Sequence, residues 1–325
     1  MVKKTRTLFL LLALLLPALA QTPAPSHDAN AAEQNKTDSK AVQKDEQPRR
    51  YETVQFESKL VGAPLPYNVL LPADYNRAAS KQKRYPVFYL LHGLGGSAGD
   101  WVSARAHLAD YAASYPFIIV VPEGRDAWYT DGLVVNEKFE SYFVEELIPD
   151  VERRFRAIAS REGRAVAGLS MGGYGALKFG LKHPDVFAFA ASMSGALRAA
   201  SWLADESLPK FVKPSIERVY GGADTPVRRG NDIFALAREI TPERALSLPY
   251  FYLDCGTEDF LISNSRDFSA LLIEKKIPHE FRQLPGAHNW PYWDRQVQEI
   301  LKIAAQKLAA PVGVAPAKAK SAASH

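Results

Sequence analysis

GRAVAGLSMGGYGALKFGLKHP, residues 163–184, sets a single serine, Ser170, among glycines. An apolar run, Ala165-Val166-Ala167, leads into it, and a helix-like run leads out. Glycine loses more conformational freedom on folding than any other residue and packs no side chain, so a cluster of glycines needs a reason. A tight turn is one. A nucleophile elbow is a sharper one, because Gly168-Leu-Ser170-Met-Gly172 is G-x-S-x-G between an expected strand and an expected helix. In such an elbow the glycines let the strand and helix backbones pass close to the serine, whose Oγ projects above the sheet. The amide of Met171 then points to where a substrate oxyanion would develop.

The surrounding pattern suits that elbow. Residues 85–91, 117–121, 164–168, 187–191 and 250–253 are almost continuously apolar, as strands covered on both faces are. Between them Phe139, Phe143, Val144, Leu147, Ile148 and Val151 recur at helical spacing, as do Phe268, Leu271 and Leu272, and residues 102–114 also read as helix. This alternation predicts an α/β fold, a mostly parallel central sheet with helices on both faces. Residues 54–71 alternate polar and apolar and predict antiparallel edge strands. Residues 197–249 carry scattered Pro and Gly and read as an insertion with short helices, a kind of segment on which binding surfaces often sit.

The ends of the 325-residue chain differ from its middle. Lys3, Lys4 and Arg6 precede an apolar run, residues 8–20, that closes in Ala18-Leu19-Ala20. That is the form of an export signal cut after Ala20. The run is shorter than the ~20 residues a membrane span needs. The expected product is therefore periplasmic or secreted, with no stable membrane insertion after cleavage. Residues 21–50 and 310–325 hold few large apolar side chains and read as disordered linker and tail, leaving one domain over residues 51–309. The formal charge of +4 falls largely on these ends. The body is near neutral, which argues against a nucleic-acid partner. Cys255 is the only cysteine, so no intrachain disulfide can form, and it reads as a small buried residue at a strand end.

A serine nucleophile needs a base. Of the seven histidines, His27 and His325 lie in the ends, His107 and His183 in helix-like runs, and His279 at the start of a strand-like run. His288 stands in Leu284-Pro-Gly-Ala-His-Asn-Trp290, a turn-rich loop between the last strand and a C-terminal helix. Imidazole suits the task because it titrates near neutral pH. The acid that orients it should come from Asp254, Glu258 or Asp259 at the end of the strand containing residues 250–253. Asp259, closest to the loop tip, is the choice on spacing, with Glu258 left open. Leu94, in His92-Gly-Leu-Gly-Gly-Ser97, would join Met171 as oxyanion donor. Trp128 and Tyr129, after a strand end, and Trp290, beside His288, are candidate substrate-binding residues.

Other chemistries fit less well. Residues 93–98 match the dinucleotide fingerprint G-x-G-x-x-G/A, and Glu123 ends the next strand where a ribose-binding acid could stand. That reading leaves Ser170, Asp259 and His288 unexplained. No H-E-x-x-H and no cysteine pair point to a metal. Neither cofactor nor metal is expected.

Six motifs together carry a resemblance: residues 92–97; Pro122-Glu-Gly124 with Trp128-Tyr-Thr-Asp131; Glu145-Glu-Leu-Ile-Pro149; residues 168–175; Cys255-Gly-Thr-Glu-Asp259; and Gly286-Ala-His-Asn-Trp290. In this order they resemble the esterase D / putative esterase family of α/β-hydrolases. That family includes tributyrin, feruloyl and acetylxylan esterases, S-formylglutathione hydrolases and antigen 85 mycolyltransferases. The resemblance implies an α/β-hydrolase fold with Ser170 as nucleophile, His288 as base, Asp259 as acid in preference to Glu258, and Leu94 and Met171 as oxyanion donors. The expected activity is that of an exported serine carboxylesterase on short-chain or carbohydrate-linked acyl esters. An acyltransferase, or a catalytically silent binding protein on the same fold, are the alternatives.

Overall fold

The computed structural model describes residues 51–203 and 209–313. The expected export signal and linker, and the tail from residue 314, lie outside the described residues. Eight strands form one sheet: β1 (Glu52–Val54), β2 (Tyr67–Leu70), β3 (Val87–Leu91), β4 (Ile118–Pro122), β5 (Arg164–Leu169), β6 (Phe189–Met193), β7 (Tyr250–Gly256) and β8 (His279–Leu284). Their spatial order is β1-β2-β4-β3-β5-β6-β7-β8. β1 pairs antiparallel with β2, and β2 with β4. All other neighbours in this sheet are parallel. The alternating segment at the start thus forms the antiparallel edge, as its pattern predicts.

Five helices flank the sheet: α1 (Leu108–Ala112), α2 (Ile148–Arg154), α3 (Met171–Lys182), α4 (Ile262–Glu274) and α5 (Trp290–Lys307). Successive strand residues point to opposite faces, and the core divides accordingly. Val87, Tyr89 and Leu91 of β3 pack with α2, α3 and α4, whereas Phe88 and Leu90 pack with α1 and α5. Both faces of β3 are dry, which explains its unbroken apolar run. Every residue of α3 except Lys182 is buried, so the helix that follows Ser170 has no solvent face.

Three local expectations are corrected. Residues 102–114 do not form one helix; a single 3-10 turn, Asp100–Val102, precedes the short α1. The chain there is pinned at both ends. The Trp101 indole donates to the Leu91 carbonyl at 3.2 Å, and the His107 amide donates to Asp294 of α5 at 2.7 Å. β6 begins at Phe189 rather than 187, because Phe187 and Phe189 pack on opposite faces of the sheet and cannot belong to one regular strand. The ordered chain also runs past Ala309, where Val312–Gly313 pairs antiparallel with Lys83–Arg84.

The insertion between β6 and β7 contains short helices, as expected, among them Lys213–Tyr220, Pro226–Asn231, Ile233–Arg238 and Pro242–Ala245. Thr225, Asp232 and Thr241 cap the last three with their side chains. Ile216, Val219, Tyr220 and Ile233 bury against the α3 side of the core. No helix among the described residues is long and apolar enough to cross a membrane.

Candidate active site

The candidate residues gather at the C-terminal ends of β3, β5, β7 and β8, the edge where open α/β sheets hold ligands. Pairing of β3 with β5 sets Leu91 beside Gly168, so the loop after β3 lies against Ser170. Pairing of β7 with β8 sets Gly256 beside Leu284, which brings the turn bearing Asp259 to the loop bearing His288.

Ser170 occupies φ 53°, ψ −114° at the N-cap of α3. Few non-glycine residues adopt positive φ, and such strain persists only when the surroundings enforce it. Here the Ser170 amide donates to Met193 at 2.9 Å, and its carbonyl accepts from Tyr174 and Ala196 at 3.1 Å each. An N-cap serine ordinarily turns its hydroxyl onto its own helix. Ser170 makes no such bond. The neighbouring glycines serve close approach rather than φ: a Cβ on Gly168 would fall 2.5 Å from the Gly172 backbone, and one on Gly172 would fall 2.6 Å from the Leu91 carbonyl oxygen. The serine carries the strain and the glycines make the room.

The hydroxyl faces His288 instead. His288 Nε2 lies 3.1 Å from Ser170 Oγ, and Nδ1 lies 2.9 Å from Asp259 Oδ2. With Nδ1–H donating to the carboxylate, Nε2 is left to accept from the serine. The loop is fixed just beyond the imidazole, where Asn289 caps α5 by accepting from the Tyr292 amide at 3.2 Å. The ring itself packs against Phe260 and Trp293. Asp259 is buried, and its Oδ1 accepts from the Leu261 amide at 2.8 Å. Burial pushes its pKa up, but the hydrogen bond and charge of His288 outweigh that and hold it below the usual carboxylate value.

The other two acids stand elsewhere. Glu258 is exposed and accepts from the Gly286 amide. Asp254 is fully buried in β7, and neither of its oxygens has a hydrogen-bond partner among the described residues. Burial pushes its pKa up to about 8. With that shift the folded protein holds a proton on Asp254 that the unfolded chain releases near pH 4, so the contribution of this group to stability falls as pH rises from about 4 to about 8. Asp254→Asn keeps the shape without the titration. Its stability relative to wild type is expected to improve by about 4 kcal/mol between pH 5 and pH 8, at about 1.4 kcal/mol per pH unit. Urea unfolding at both pH values checks this, and an unchanged difference between the two proteins would count against it.

Among the described residues, the other histidines are engaged away from Ser170: His107 with Asp294, His183 with Glu140 and His279 with Ser269. His92 is fully buried; its Nε2 accepts from the Gly124 amide at 2.9 Å and its Nδ1 donates to the Gly93 carbonyl at 2.8 Å. It thereby ties the loop after β3 to the end of β4. Glu123 accepts from the amides of Ala98 and Arg125 and is spent on the same loop. A short 3-10 turn rather than a helix follows residues 93–98, so the dinucleotide alternative lacks the helix N-terminus it needs.

Ser170 and His288 open into a cavity of about 490 Å³ that Leu94, Trp128 and Trp290 also line. Met171 heads α3, where first-turn amides have no acceptor within the helix. Tyr129 is corrected from a pocket residue to a support: it is buried behind the wall and its hydroxyl donates to the His92 carbonyl at 3.1 Å. Sequence reading missed Trp202 and Phe211 of the insertion, and Phe260 beside Asp259, which line the cavity too. Phe260 had a signal, its adjacency to the acid, whereas the insertion residues had none beyond lying in an insertion. Among the described residues, no cluster of three or more His, Cys, Asp or Glu could hold a metal.

Comparison with known proteins identifies the family. A family model described as "Putative esterase" matches residues 58–303. An esterase of Mycobacterium tuberculosis is 33% identical over 270 residues, which cover 76% of this chain and 57% of that protein. The chain thus spans little more than half of that relative. An acetyl esterase of Caldicellulosiruptor saccharolyticus is 28% identical over 254 residues, 75% of this chain and 94% of that one. Among solved structures, a ferulic acid esterase superposes with a TM-score of 0.68 at 28% identity, covering 79% of this chain and 98% of that chain. The order of strands, the elbow and the family match lead to one conclusion: the chain belongs to the putative esterase family and has the α/β-hydrolase fold.

Proposed function

We propose that the protein is an exported serine carboxylesterase that hydrolyses short-chain or carbohydrate-linked acyl esters. The observation that carries this reading is the continuous hydrogen-bonded chain from Asp259 through His288 to Ser170, opening into the cavity. In the proposed reaction His288 Nε2 takes the Ser170 proton as Oγ attacks the ester carbonyl. The tetrahedral oxyanion forms against the amides of Leu94 and Met171. Asp259 orients the imidazole and stabilises its charged form. The C–O bond to the alcohol then breaks, and the alcohol leaves with the proton held on Nε2. Water, deprotonated by the same nitrogen, releases the acid from Ser170.

A cavity of about 490 Å³ is at the small end of ligand sites and favours a short acyl group with part of its alcohol. Purified protein is expected to hydrolyse p-nitrophenyl acetate and butyrate at least tenfold faster than the octanoate, as judged by kcat/KM. Its serine should also label one-to-one with a fluorophosphonate. Turnover favouring octanoate would overturn the short-chain assignment, and failure of every ester together with no labelling would sink the esterase reading. Export is tested separately by the N-terminus of the protein recovered from the producing cell: Gln21 supports it and Met1 opposes it.

A further inference from the structure

Lys178 stands in the middle of α3 with no exposed surface. A buried ammonium is expensive unless all its protons are used, and here they are. Nζ donates to the Tyr129 carbonyl at 2.6 Å, the Thr130 hydroxyl at 2.8 Å and Glu140 Oε2 at 2.9 Å. Burial lowers its pKa to about 8 despite the opposing pull of Glu140, so it still carries charge at neutral pH.

Two of those acceptors belong to an unusual piece of chain. Trp128 and Tyr129 both lie in the left-handed region, at φ 54° and 51°. Bulky side chains rarely adopt this conformation, which persists only where something holds it. The Thr130 hydroxyl, while accepting from Lys178, donates to the Trp128 carbonyl at 2.9 Å, so the ammonium grips the turn directly and through one intermediate. From this turn Trp128 reaches the cavity wall, and the Tyr129 hydroxyl reaches the His92 carbonyl at the root of the oxyanion loop.

We propose that Lys178 is a positioning residue for ester hydrolysis: it holds the Trp128–Tyr129 turn, and through the Tyr129 hydroxyl it aligns the loop that presents the Leu94 amide to the oxyanion. This inference rests on the proposed function. It adds that the nucleophile and its oxyanion donor are kept in register by a bond between the helix behind one and the turn behind the other. The distance that matters is transition-state geometry, where a shift of about 1 Å can cost about 100-fold.

The test is a double-mutant cycle on kcat, counted per site titrated with fluorophosphonate so that misfolded protein drops out. Tyr129→Phe removes only the bond to His92 and is expected to lower kcat about tenfold while KM changes less than twofold. Lys178→Met leaves Glu140 with Lys182 and His183 as partners and is expected to lower kcat about 100-fold. The double variant should be no slower than Lys178→Met, because the tyrosine would act only when the turn is held. Multiplicative losses in the double variant, or wild-type kcat per titrated site in Lys178→Met, would overturn the inference. If Lys178→Met yields no titratable sites, Thr130→Val takes its place in the cycle under the same criterion. Wild type without Ser170-dependent hydrolysis would overturn the proposed function and this inference together, whereas an active wild type with an additive cycle overturns this inference alone.

Discussion

Ser170→Ala is expected to lower kcat for p-nitrophenyl butyrate about 100,000-fold or more, the scale on which removing the triad serine acts in serine proteases. At 1.36 kcal/mol per factor of ten this is about 7 kcal/mol of barrier. Stability should barely move. The hydroxyl caps no amide of α3, so alanine removes only the bond to His288, and alanine and serine carry similar strain at φ 53°. Residual turnover would come from the oxyanion donors and substrate binding alone. A folded variant, judged by an unchanged thermal midpoint, that kept the wild-type rate would show Ser170 to be a turn residue and nothing more.

The second large effect is expected from Asp259→Asn. The two carboxylate oxygens have separate tasks: Oδ1 accepts from the Leu261 amide and Oδ2 accepts from His288 Nδ1. An asparagine must give its single oxygen to the amide, since Leu261 N–H can only donate. Its NH₂ group then faces Nδ1, which becomes the acceptor, and the ring proton moves to Nε2. In that tautomer Nε2 cannot take the serine proton. The expected loss is about 10,000-fold in kcat at neutral pH, or about 5 kcal/mol, as when the orienting aspartate of a triad is made an amide. Glu258→Gln supplies the contrast, because Glu258 is exposed and bonds Gly286, not His288. Comparable losses in the two variants would break the assignment of Asp259 as the orienting acid.

The parts of this site that could be read from sequence are those set by local backbone chemistry. Ser170 was legible because an elbow needs small residues on both sides. His288 was legible because it stands in a turn-rich loop between the last strand and the C-terminal helix. Their meeting follows from parallel strands all ending at one edge. Asp259 was only half legible, since spacing could not separate it from Glu258, and the decision lies in which carboxylate the chain buries. Tyr129 was misread because an aromatic residue after a strand end looks the same whether it faces ligand or core. The left-handed backbone that turns it inward is hydrogen-bonded by Lys178, forty-nine positions away. Residues 102–114 had helical spacing, but Trp101 and His107 are held by Leu91 and Asp294, partners distant in sequence or fold that no local pattern reveals. Trp202 and Phe211 were invisible for the same reason.

One feature of the architecture bears on how such a protein changes over generations. Ser170, His288 and Asp259 stand at the ends of sheet strands, while Ala196, Trp202, Phe211 and Val212 of the cavity wall come from the stretch between β6 and β7. One side of the wall is thus written in a different length of chain from those three residues, while Leu94, Trp128, Phe260 and Trp290 form the rest of it. Drift within that one stretch can reshape one side of the cavity and leave Ser170, His288 and Asp259 untouched, so the opening and the hydrogen-bonded chain beneath it are free to change at different paces.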